Sequence, residues 1–128
     1  MEKKRLNKNF LDKFKDYDFS ILKETNIYLV GSTRYKDYFI EIESILQINY
    51  NKLVSICSVD GLLNKESFSK KEWEKLQEIA LKKLHNYEAV LIINVDNYIG
   101  DHSREEIEYA KNKLHKPVYY LSDLKFAN

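Results

Sequence analysis

Cysteine is almost missing from this chain of 128 residues, where Cys57 stands alone. A single thiol builds neither a disulfide framework nor a metal cluster of Cys and His, and its place in an apolar run reads as a buried strand residue in a reducing compartment. Glycine and proline are nearly as scarce, with three Gly (Gly31, Gly61, Gly100) and one Pro (Pro117). Irregular backbone is therefore confined to a few places, each of them informative. An excess of charge is lacking too: 21 Lys plus Arg against 20 Asp plus Glu leave a net +1. No basic field draws in nucleic acid. No run approaches the roughly 20 apolar residues needed to span a bilayer, and residues 1–16 hold no continuous apolar stretch of the secretory kind. The expected setting is cytoplasmic, without membrane or nucleic acid as a partner.

What is present is a globular balance of 44% hydrophobic and 32% charged residues, rich in Tyr (ten) and Phe (six). That length and composition suit one domain spanning 1–128. Leu6, Phe10 and Phe14 recur at four-residue spacing, which predicts an amphipathic helix over residues 3–17. Residues 27–30 form a short apolar run ending at Gly31, the pattern of a strand buried on both faces. Residues 34–50 follow as a helix with Tyr38, Ile42, Ile45 and Leu46 on one stripe, and residues 53–57 as a second strand. Residues 59–69 read as a polar loop. Ser69 with Glu72 then makes a capping box for a helix burying Trp73, Leu76, Ala80 and Leu84. AVLIINV at 89–95 is the strongest strand signal; a loop over 96–102, a helix from about Ser103 carrying Ile107, Ala110 and Leu114, and a strand over 118–121 complete the chain.

Strands that alternate with helices and are apolar throughout predict a doubly wound α/β fold of the Rossmann or flavodoxin kind. It has a parallel sheet of four to five strands, helices on both faces and the amphipathic helix in front. Ligands of such sheets bind beyond the carboxyl ends of the strands, where the strand order reverses. Here those ends are GSTR at 31–34 and NVDNYIGDHS at 94–103.

In the first segment Gly31 lets a ligand approach the backbone, Ser32 and Thr33 offer hydroxyls and amides, and Arg34 opens a helix whose free N–H groups attract anions. Either this is a phosphate cradle, or Ser32 or Thr33 simply caps the helix. The second segment gathers Asp96, Asp101, His102, Ser103, Arg104, Glu105 and Glu106. Such a density of ionisable groups marks a candidate site, although a Ser103–Glu106 capping box alone would account for the acids of the first turn.

Together, IYLVGSTR at 27–34, INVDNYIGDHSREEIEYA at 93–110 and HKPVYYL at 115–121 resemble the nucleoside 2-deoxyribosyltransferase-like superfamily. The likeness is nearest to its small bacterial and phage members, and covers about residues 26–122, leaving 1–25 as a helical extension. It implies chemistry at the N-glycosidic bond, as in nucleoside deoxyribosyltransferases and deoxynucleoside 5′-monophosphate N-glycosidases. On this resemblance Tyr28 orients the catalytic carboxylate, Gly31, Ser32 and Arg34 match a 5′-phosphate site, and Glu106 is the nucleophile. At a helix N-terminus Glu106 would stay ionised and trap a covalent glycosyl-enzyme.

Two positions depart from the family pattern. Ala80 stands where those enzymes have an aspartate that serves the departing base, with Glu78 and His85 nearby. The acid would then come from Asp101, Asp96 or His102. Gly100 stands where they place a serine or aspartate, which leaves Ser103 or loop amides to bind substrate. The resemblance implies a small-molecule nucleoside or nucleotide as partner, no cofactor, no metal, and a homo-oligomer, most simply a dimer. The alternative is a module that binds a nucleotide in the same crevice without cleaving it.

Overall fold

The continuous apolar runs become the centre of a four-stranded parallel sheet. In the computed structural model, which describes residues 3–126, β1 (Asn26–Gly31) and β3 (Ala89–Ile93) lie side by side. β2 (Leu53–Ser55) and β4 (Val118–Tyr120) flank them in the order β2-β1-β3-β4. Residues 1–2 and 127–128, the ends of the span expected to form one domain, lie outside the described residues. Every residue of β3 is buried, because a central strand has helices above and below it. The edge strands are only three residues each, shorter than the expected runs over 53–57 and 118–121.

Alternation along β1 sends its side chains into two cores. Ile27 and Leu29, with Leu91 and Ile93, pack against Phe39, Ile42, Ile45 and Leu46 of α2 (Lys36–Tyr50). Tyr28 and Val30, with Val90 and Ile92, meet Leu84 of α4 (Lys70–Leu84) and Ile107 of α5 (Asp101–Glu108). Helices therefore cover both faces, as the alternating pattern predicted. No helix among the described residues is long and apolar enough to cross a membrane.

The predicted helix over 3–17 shrinks to α1 (Lys8–Asp12), capped by Asn7. Its apolar spacing nevertheless holds, since Leu6, Phe10 and Phe14 are all buried against the α2 side of the sheet. Beyond Asp12 the chain turns so that Phe14 meets Tyr17, Phe19 and Tyr38, and this aromatic packing outweighs continuation of the helix.

Other boundaries shift for local reasons. The predicted loop over 59–69 contains α3 (Val59–Leu63), started by the Ser58 hydroxyl accepting from the Gly61 N–H at 2.9 Å and anchored by buried Leu62. The Ser69–Glu72 capping box is formed as read. Arg34 does not open α2; it lies in a 3₁₀ turn (Thr33–Tyr35) that precedes it, and Ser32 caps that turn. Gly31 is required by closeness, because a Cβ there would come within 3.1 Å of the Ile93 carbonyl and of the Phe39 ring.

Candidate functional site

A cavity of about 280 Å³ opens beyond the carboxyl end of β1, between the chain following β2 and the start of α5. Its place is the one a doubly wound sheet predicts. Of the candidate residues, Gly31, Ser32, Thr33, Gly100, Asp101, His102, Ser103 and Glu106 line it. Arg34 and Asp96 are not among its lining residues. Arg34 is exposed, its guanidinium carbon 3.9 Å from the centre of the Tyr98 ring, and Asp96 is exposed in a left-handed conformation at φ 54°. Asn97 follows at φ 60°, and after these two turns Tyr98 stands at the cavity wall, with Tyr35 edge-on to it.

The cap of helix α5 lies three residues earlier than the sequence suggested, which changes the role of four residues. Gly100 takes the capping position and Asp101 the first helical one. Ser103 is therefore inside the first turn and caps nothing; it is buried, on the cavity wall. The Ser103–Glu106 capping box does not form. Glu106 falls in the second turn, 9% exposed. There burial dominates, the neighbouring Glu105 adds to it, a hydrogen bond from Gln77 opposes both, and the carboxyl is pushed up to about 7. The expectation that the helix terminus would keep it ionised is thus corrected: the dipole acts mainly within the first turn, and desolvation outweighs it.

Tyr28, in the middle of β1, is fully buried and does not line the cavity; its hydroxyl stands beside the Cys57 thiol without a well-formed hydrogen bond. Burial first, then the Cys57 thiol and Glu106, hold that hydroxyl well above the usual range, so it stays neutral. Cys57 is half-buried on the cavity wall just beyond β2, its thiol donating to the Leu76 carbonyl at 3.2 Å. An unpaired buried hydroxyl costs about 1–3 kcal/mol. Tyr28→Phe is accordingly expected to raise stability in chemical denaturation by about 1 kcal/mol; a loss instead would mean that the hydroxyl is satisfied in solution.

Several cavity residues went unassigned in the sequence. Gln77 of α4 reaches across to α5, where its Nε2 lies 3.4 Å from Glu106 Oε1 and 3.3 Å from the His102 carbonyl oxygen. A signal for it existed: Trp73, Gln77, Ala80 and Leu84 share one helical stripe, and Gln77 is its only polar member. Trp73, expected in the core, is half-buried and lines the cavity, packed edge-on against Phe68. Ala80 is buried, whereas Glu78 is exposed and paired with Lys75, and His85 pairs with Tyr109 at 2.7 Å. None of the three lines the cavity. Asn94 has a structural task, exchanging hydrogen bonds with Ser122 at 2.9 and 3.1 Å and tying the end of β3 to the turn after β4. No family model, curated protein or solved structure significantly matches the chain.

Proposed function

We propose that this cavity binds a nucleoside or nucleoside 5′-monophosphate, with 2-deoxyribosyl preferred, and that Glu106 cleaves the N-glycosidic bond. The observation that carries the reading is one buried carboxyl, held by a neighbouring amide, on the wall of a pocket beyond the carboxyl ends of the strands. The resemblance of residues 27–34, 93–110 and 115–121 to enzymes of this chemistry supports it.

In the first step a Glu106 oxygen bonds to C1′ as the C1′–N bond breaks, and the departing base takes a proton from Asp101. In the second, water attacks C1′ and gives its proton to Asp101, and the glycosyl ester breaks to return the Glu106 carboxylate. A second base in place of water would make the same route a transfer. A carboxyl near 7 is about half ionised at neutral pH, enough to supply the nucleophile.

A second reading, a module that binds a nucleotide without cleaving it, is favoured by one feature: α4 presents the amide of Gln77 to the cavity and no proton-transferring group. Incubation with ribo- and deoxyribonucleosides and their 5′-monophosphates, followed by chromatography of free base, separates the two. Base release from one substrate class upholds the enzyme; a thermal shift from one nucleotide without release upholds the module.

Arg34 stands one residue beyond Thr33, outside the cavity but stacked on a residue of its wall. From there its long side chain can reach a phosphate at the Ser32–Thr33 end. Arg34→Ala is expected to weaken 5′-monophosphates about tenfold while leaving nucleosides nearly unaffected, as one exposed charge-assisted contact would. Equal losses by titration calorimetry would remove the phosphate from the reading.

A further inference from the structure

Glu106 has one hydrogen-bond partner among the described residues, and it comes from another helix. Around the carboxyl stand Tyr28 from β1, Cys57 from the segment after β2, and Glu105 on its own helix; the cavity wall adds Asp101 and His102 from the first turn of that helix and Lys65 from the segment after α3. None of these donates a hydrogen bond to it. The Nε2 of Gln77 faces two acceptors at once, the Glu106 carboxyl and the His102 carbonyl, so its two N–H groups are committed to α5. Turned over, the amide would set its own oxygen against the His102 carbonyl in every state and against the Glu106 carboxyl when that is ionised. Its orientation is therefore fixed, and with it the direction from which Glu106 is approached.

We infer that Gln77 is the positioning residue of this site: from α4 its amide holds the Glu106 carboxyl in place on α5 and favours the ionised form by donating to Oε1. The inference rests on Glu106 being the reacting group. It also separates two tasks, since an amide donates a hydrogen bond but transfers no proton at neutral pH. Gln77 thus holds the nucleophile, and the proton for the leaving base comes from elsewhere in the cavity.

The test follows the Glu106 carboxyl directly by ¹³C NMR titration, which needs no substrate. In the unsubstituted protein the midpoint is expected at about 7. Gln77→Met keeps the volume and removes the donors, and should move the midpoint upward by about one pH unit. Gln77→Glu sets a second carboxyl beside the first, and should give a pair titrating in two steps with the upper one higher still. That variant serves if the Met protein does not fold, because Gln77 is only half-buried. An unchanged Glu106 midpoint in either folded variant overturns the inference. Where base release is measurable, its pH profile should move with the midpoint. A profile that stays put while the carboxyl shifts would uphold the role of Gln77 and refute Glu106 as the nucleophile.

Discussion

Glu106→Gln is expected to lower base release on the order of 10⁴-fold, by analogy with removal of a covalent nucleophile elsewhere, with ligand affinity changed little. The amide has the size and shape of the carboxyl, so the cavity wall formed by α5 is kept. What it loses is the negative charge that bonds to C1′ and balances the oxocarbenium-like transition state. Affinity depends instead on the cavity surface, with its Trp73 and Tyr98 rings and the backbone at Gly31 and Ser32, none of which the substitution touches. Single-turnover assays with chromatography give the rate, and mass spectrometry of the quenched protein looks for a glycosyl adduct on the peptide carrying Glu106. Turnover that survives in the Gln variant would assign the chemistry to Asp101 or to bound water. An adduct in the unsubstituted protein and none in the variant would fix the covalent route.

The fold was legible because central parallel strands leave a simple mark. Residues 27–30 and 89–93 are apolar without alternation, and both faces of those strands are covered in the structure. Edge strands leave less: β2 carries Leu53 at 63% exposure, and its three residues pair only with β1. Helix ends were harder, since they depend on which of several capping groups wins. At Ser69 the local pattern prevailed. At Ser103 the same pattern lost to Gly100, whose extended backbone at φ −77° starts the helix one turn sooner. Only the packed arrangement decides between such rivals.

The site was legible in part, and for a similar reason. Gly31, Ser32 and Thr33 follow a central strand directly, so topology alone brings them to the cavity. Arg34 and Asp96 are displaced by turns whose geometry local composition does not announce: a 3₁₀ turn in one case, a left-handed pair in the other. Gln77 is 29 residues from Glu106 in sequence and meets it only because α4 and α5 pack on the same face. Contacts of that kind have no local signature beyond one polar residue on an apolar stripe.

Burial of Glu106 also makes stability depend on pH in a direction opposite to the usual carboxylate. Its folded-state pKa of about 7 lies above the ordinary 4.5 expected in the unfolded chain, so between these values the folded protein holds the proton more firmly. Stability is then greatest below about 4.5, falls as pH rises through the window, and is flat above about 7 as far as this group is concerned. The gap corresponds to about 3 kcal/mol. Glu106→Gln has no charge to desolvate, and should lack this fall. Denaturation at pH 5 and pH 8 is expected to show the variant gaining about 2.5 kcal/mol on the unsubstituted protein between the two, some 9 °C in Tm for a domain of this size. Glu43, also raised by burial, is present in both proteins and cancels in the comparison. Parallel stability curves would mean that water reaches the carboxyl freely in solution. A widening gap toward pH 8 would show that the protein sacrifices stability to keep a carboxyl dry, which is the condition under which one buried oxygen can act on a sugar carbon.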